Sequence, residues 1–178
     1  NNEGYRNLLK LSSLGYLEGF YYRPRVDKEL LRTHCQGLII LSGCLKGEIP
    51  TLLLGGKFEE AERVAREFQA IVGEENFFLE LQNHGMKQQD ELQGMLLDLS
   101  ENTDISLVAT NDVHYPTKRD YEAHEVFINI GTKKGNERRS YGTQLYLKTE
   151  NEMDKLFGNF PNALENTNYI ADLCNVDI

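Results

Sequence analysis

The sequence predicts an α/β fold built on parallel strands, either an open sheet or an α/β barrel. Two observations carry this. Three short apolar runs, at 37–41, 77–81 and 105–110, alternate with helical patterns, as a buried parallel sheet with crossover helices requires. Each run then turns abruptly polar, at Cys44, at His84, and at Asp112 with His114. In both architectures the working residues lie beyond the carboxyl ends of the strands.

In chain order, residues 3–19 read as a helix. Tyr5, Leu8, Leu9, Leu11, Leu14 and Leu17 recur at helical spacing and Gly19 stops it. The aromatic and basic stretch Phe20-Tyr21-Tyr22-Arg23-Pro24-Arg25 resists helix at its proline. It reads as a packed connector, or as a pair of arginines, Arg23 and Arg25, aimed at phosphate. Asp27 is placed to cap a short helix over 28–35, whose His34 and Cys35 read as structural. The first strand, 37–41, runs into Ser42-Gly43-Cys44-Leu45-Lys46-Gly47, where glycines let the backbone bend tightly around Cys44. A short helix begins at Glu48. Residues 57–72 form the clearest helix, with Phe58, Ala61, Val64, Ala65, Phe68, Ile71 and Val72 in one stripe. Glu59 with Arg63 and Glu62 with Arg66 stand as i,i+4 pairs on its wet face.

The second strand ends in Gln82-Asn83-His84-Gly85, and a helix of about 88–101 turns Leu92, Met95, Leu96 and Leu99 inward. After the third strand, a helix over about 118–130 carries Tyr121, His124, Val126, Phe127 and Ile130. Residues 131–142 are a polar, basic loop without periodicity. Residues 144–148 read as extended and 150–157 as a helix. Pro161 opens a last helix at its favoured first turn, with Ala163, Leu164, Ile170, Ala171 and Cys174 on one face. Cys174 there reads as a small buried hydrophobe.

The bulk numbers bound the function. The chain has 178 residues, 40% hydrophobic and 26% charged, the balance of one soluble domain or a large piece of one. The start, Asn1-Asn2-Glu3-Gly4-Tyr5, is polar and lacks Met, so the chain reads as an internal or processed piece with no signal peptide. Three widely separated cysteines argue against a disulfide framework and for a reducing, cytoplasmic setting. A net charge of −9 argues against a dedicated nucleic-acid clamp that works through bulk electrostatics. It leaves room for a metal site that handles phosphates, because the metal supplies its own positive charge.

Asp112 and His114 are two apart, so in an extended backbone both side chains share a side. The bland alternative is a turn-capping Asp112 and a surface His114. With Cys44 and His84 at neighbouring strand ends, the set suits Zn²⁺ or a comparable transition metal, and carboxylate with His also takes Mn²⁺ or Fe. Four groups are too few for a multi-metal centre, so further ligands would come from outside this chain. His124 reads as a core histidine or as one supporting a metal-binding group.

Several stretches together resemble a known family. They are 16–25 (YLEGFYYRPR), 37–44 (GLIILSGC), 78–85 (FLELQNHG), 108–115 (VATNDVHY), Ala123-His124-Glu125 and 161–167 (PNALENT). In this order they are similar to the polymerase and histidinol phosphatase (PHP) domain region of the bacterial DNA polymerase III alpha subunits. The resemblance implies the later part of a distorted (β/α)7 barrel, incomplete in this chain. Residues 1–130 would be the carboxyl-side portion of the barrel. Residues 131–178 would be a basic loop and helical segment leading toward the polymerase domain.

It also implies a rim binding up to three divalent metals, Zn²⁺ or Mn²⁺, in the complete domain. Cys44, Asp112 and His114 match later ligand positions, His84 lies beside them as an auxiliary, and the family's leading His-x-His motif is not in this chain. The whole protein would be a DNA-directed DNA polymerase whose partners are DNA, a proofreading exonuclease subunit and other replisome subunits. In some members this domain is a metal-dependent 3′–5′ exonuclease. In others it is a scaffold that docks the separate exonuclease. This chain alone is expected to be inactive, and to associate through the sheet edges of its incomplete barrel.

Overall fold

The computed structural model describes residues 1–130 and 142–177. Helix α1 spans Asn2–Leu17, with Asn1 as its N-cap accepting from the Glu3 and Gly4 amides. Helix α2 spans Lys28–Thr33, capped by the Asp27 carboxylate, which accepts from Leu30 N at 2.8 Å. Strand β1 is Ile40–Leu41. Helices α3 (Glu48–Leu54) and α4 (Phe58–Val72) lead to β2 (Phe77–Leu81). Helix α5 (Lys87–Thr103) ends at Asp104, a left-handed residue at φ 60°, and β3 (Leu107–Ala109) follows. A 3₁₀ turn at Lys118–Asp120 opens into α6 (Tyr121–Ile130). Helices α7 (Glu150–Phe157) and α8 (Ala163–Leu173) complete the described chain.

The strands form one parallel sheet in the order β1-β2-β3. Ile40 pairs with Phe77, and Leu79 with Leu107. Strand β2 is central. Phe77, Phe78, Leu79 and Leu81 are all buried, as are all three residues of β3, so both faces are covered. The core joins these strands to Ile49 and Leu53 of α3, Ala61, Val64 and Ala65 of α4, Leu92, Leu96 and Leu99 of α5, and Phe157. The apolar stripe of α4 is therefore what seats it on the sheet.

The expected first strand is shorter and only half-buried. It is the sheet's edge, and Gly37 in the left-handed region (φ 77°) delays its start. Of the two expected ion pairs on α4, only Glu62–Arg66 forms, at 3.0 Å. Pro161 stands two residues before the last helix, whose N-cap is Asn162 at φ 54°. Cys174 is exposed at that helix's C-cap instead of buried in its stripe. All three cysteines are free. The predicted basic loop falls outside the described residues except at Gly142. Among the described residues no helix is long and apolar enough to cross a membrane.

Candidate metal centre

Because the strands are parallel, their carboxyl ends share one rim. Cys44, His84 and the Asp112/His114 segment follow β1, β2 and β3 respectively, so all four lie on it. The contacts are uneven. Asp112 Oδ1 and His114 Nε2 meet at 3.3 Å. Strand alternation does not bring them together, as the sequence suggested. The strand ends at Ala109, and Asp112 sits at φ 37°, a left-handed conformation that Asp and Asn tolerate better than most residues. The chain then straightens as the His114 and Tyr115 amides donate to Leu145 O, at 2.8 and 3.3 Å. Tyr115 pairs with Tyr146 in an isolated parallel bridge. The ring of His124 lies 5.6 Å from that of His114 and 5.1 Å from that of Tyr115, so His124 packs behind the pair.

His84 is the buried member, 5% exposed. Its backbone N–H donates to Gln89 Oε1 at 2.7 Å, which fixes the orientation of the amide. The Gln89 nitrogen, 2.9 Å from Nδ1, must then donate to the ring, and the proton of a neutral imidazole goes to Nε2. That Nε2 is buried and makes no well-formed hydrogen bond, with the Asn111 backbone near the ring. Burial holds the ring's pKa below the ordinary histidine value, with the Asp112 charge opposing. His84 is thus a neutral hydrogen-bond donor at the rim, not a ready metal ligand.

Lys148 was not singled out in the sequence, where it is one cation in a short polar stretch. It is 9% exposed. Its Nζ donates to Asn111 Oδ1 at 3.0 Å and to the Gln144 carbonyl, and lies 4.8 Å from the Tyr146 ring centroid. Burial pushes its pKa down. Its charge also acts on His84, so a buried cation stands at the same mouth. Cys44 is exposed on the loop beyond β1. Arg23 and Arg25 are exposed in the connection between α1 and α2.

Among the described residues, no three His, Cys, Asp or Glu side chains gather closely enough to hold a metal ion. The donors are of the right chemistry for Zn²⁺ or Mn²⁺. They amount to one touching pair, which fits a share of a centre and not a whole one.

A parallel sheet flanked by helices, with acid and imidazole groups at its carboxyl rim, is the layout of an α/β metal-site domain. Residues 1–84 match the PHP domain family. Along its full length it is similar to one region of DNA polymerase III subunit alpha. It is 45% identical over 182 residues to that of Treponema pallidum, covering 100% of this chain. It is 44% identical over 178 residues to that of Borreliella burgdorferi, covering 98%, and 42% identical over 184 residues to that of Thermus aquaticus, also covering 98%. The chain spans only 15–16% of the length of these relatives.

Proposed function

We propose that this chain is the later part of a PHP domain in a bacterial replicative DNA polymerase, and that its rim takes part in metal-assisted hydrolysis of a 3′ phosphodiester. In this reading residues 1–130 belong to the barrel and 131–178 lead toward the polymerase domain. The observation that carries it is the Asp112–His114 contact at the carboxyl rim, near the buried Nε2 of His84. Asp112 and His114 would hold a divalent ion, with Cys44 joining once outside ligands complete the centre. Such an ion, when bound, would activate water and offset developing negative charge. His84 Nε2–H would donate to a phosphate oxygen, and Lys148 would supply fixed positive charge nearby.

The second reading is a scaffold that braces the polymerase and docks a separate proofreading exonuclease. It is favoured by the lack of any three-ligand cluster among the described residues, and by Val126, Phe127 and Ile130, exposed on α6.

One experiment separates them. In the full-length protein, Asp112→Asn preserves a residue that accepts φ 37°, and His114→Ala removes the imidazole. The hydrolytic reading expects excision of a mismatched 3′ end to fall at least about 100-fold in either variant, with unfolding temperature unchanged. Unchanged excision with weakened binding of the exonuclease subunit would overturn it in favour of the scaffold.

A further inference from the structure

The last turn of α1 and its connection to α2 project four aromatic rings and two cations into solvent. Tyr16, Phe20, Tyr21 and Tyr22 are all more than half exposed. Exposed aromatics in such number are unusual for a packed connector. Topology places them. Helix α1 starts against the segment before β1: the Asn7 side chain donates to Gln36 O at 2.8 Å, and Gly4 lies hard against the Gly37 carbonyl. Helix α2 ends close by, with Cys35 Sγ donating to Ile71 O at 3.2 Å. Both helices have one end at the amino side of the sheet, so their connection lies at the opposite end, beside the rim. Lys28, the first residue of α2, reaches both Glu48, the first residue of α3 past the Cys44 loop, at 3.0 Å, and Glu67 of α4, at 2.8 Å, so α2 starts between the two ends of the sheet.

We propose that this connection is a landing platform for single-stranded nucleic acid at the mouth of the rim. Tyr21 and Tyr22 stack on unpaired bases while Arg23 and Arg25 meet the phosphates. The turn is built for display. The Tyr21 amide donates to Arg23 O at 3.1 Å, and Tyr22 is held at its tip with φ 60°, a costly conformation for a bulky side chain. The Tyr21 and Tyr22 rings meet edge-on at 4.6 Å, and the Arg25 guanidinium lies 5.4 Å from the Tyr21 ring centroid.

Among the described residues neither arginine has a carboxylate partner, in a chain of net charge −9. Interleaved rings and unneutralised arginines fit a polyanion with flat bases better than an apolar helix. Strands β1 and β3 are two strand spacings apart, about 10 Å, so a single strand crossing the rim from the β1 side meets Asp112 and His114 within a few nucleotides.

The inference rests on reading the rim as a nucleic-acid site, but its test does not need excision. Full-length protein is photo-cross-linked to a short oligothymidylate carrying 5-iodouracil, in a chelator, and the linked peptides are mapped by mass spectrometry. Cross-links at Tyr21 or Tyr22 are expected. Tyr22→Gly should lower their yield roughly ten-fold while leaving the unfolding temperature equal or higher, because glycine suits φ 60°. Arg23→Ala with Arg25→Ala should flatten the salt dependence by about 1.4 in log–log slope, at about 0.7 per single-strand phosphate contact.

Cross-links confined to other segments, or a Tyr22→Gly yield equal to wild type, would overturn the platform. So would loss of a protein partner in Tyr22→Gly with the cross-links intact. Absent cross-links with normal excision would sink the platform alone. Cross-links that persist when Asp112→Asn leaves excision untouched would sink the hydrolytic reading alone.

Discussion

The orientation of one amide decides what His84 can be. Gln89 binds the backbone N–H and the Nδ1 of His84 with opposite ends of the same side chain, so it dictates the tautomer. The substitution Gln89→Glu leaves only acceptors in that place. The backbone N–H is still satisfied, but Nδ1 must now carry a proton. We therefore expect long-range ¹H–¹⁵N spectra to show the Nε2–H form in the wild type and the Nδ1–H form, or imidazolium, in Gln89→Glu. Identical ring spectra in the two proteins would refute the assignment. None of this was legible in the sequence. Asp112 and His114 could be picked out by type and spacing. The pairing of His84 with Gln89 depends on where α5 packs, and the burial of Lys148 on how residues 142–148 fold over Asn111.

At the scale of elements, legibility tracked the strength of the local signal. Helix α4 was readable because seven apolar residues share one face, and its packing against β2, with Phe68 stacked on Phe77 at 5.6 Å, is the consequence. Strand β1 was overestimated because an edge strand's apolar run need not be paired along its length. Helix α6 was recognised, but Val126, Phe127 and Ile130 point outward; periodicity reveals an apolar face without saying what covers it.

Helix α7 opens on Thr149 with Glu152 three residues on, a capping box. Tyr146 completes it. The Tyr146 hydroxyl donates to Glu152 at 2.7 Å, and the Thr149 amide and hydroxyl each donate at 2.9 Å. These bonds pull the Glu152 carboxyl down to about 2. The folded value lies below the unfolded one, so this stabilisation is complete above the ordinary glutamate range. It is lost as pH falls from there through about 2. Glu152→Gln keeps the box but cannot titrate, and should remove that part of the acid dependence of unfolding. Thr149→Ala should cost about 1 kcal/mol at neutral pH. Equal acid sensitivity of wild type and Glu152→Gln in urea unfolding would count against the arrangement.

For the molecule as a whole, the sequence led to an expectation of bare sheet edges, and one of them is dressed. The Ser106 carbonyl and Thr110 amide bond to β2, so the carbonyls of Leu107 and Ala109 face outward. Helix α8 meets both. Asn166 Nδ2 donates to Leu107 O at 2.7 Å and Thr167 Oγ1 to Ala109 O at 2.6 Å. Both residues lie in the segment that carried part of the family resemblance, but a polar pair on a helix reads there as surface.

An unpaired edge is a template for another strand, so these two side chains guard against association as well as holding α8. Asn166→Leu and Thr167→Val keep shape while removing the donors. Each should cost about 1 kcal/mol in urea unfolding, with the pair non-additive because the two are adjacent. The double variant should also associate more strongly with concentration in sedimentation velocity. A double variant as stable and as monomeric as the parent would mean that packing against β3, and not these bonds, keeps the edge closed.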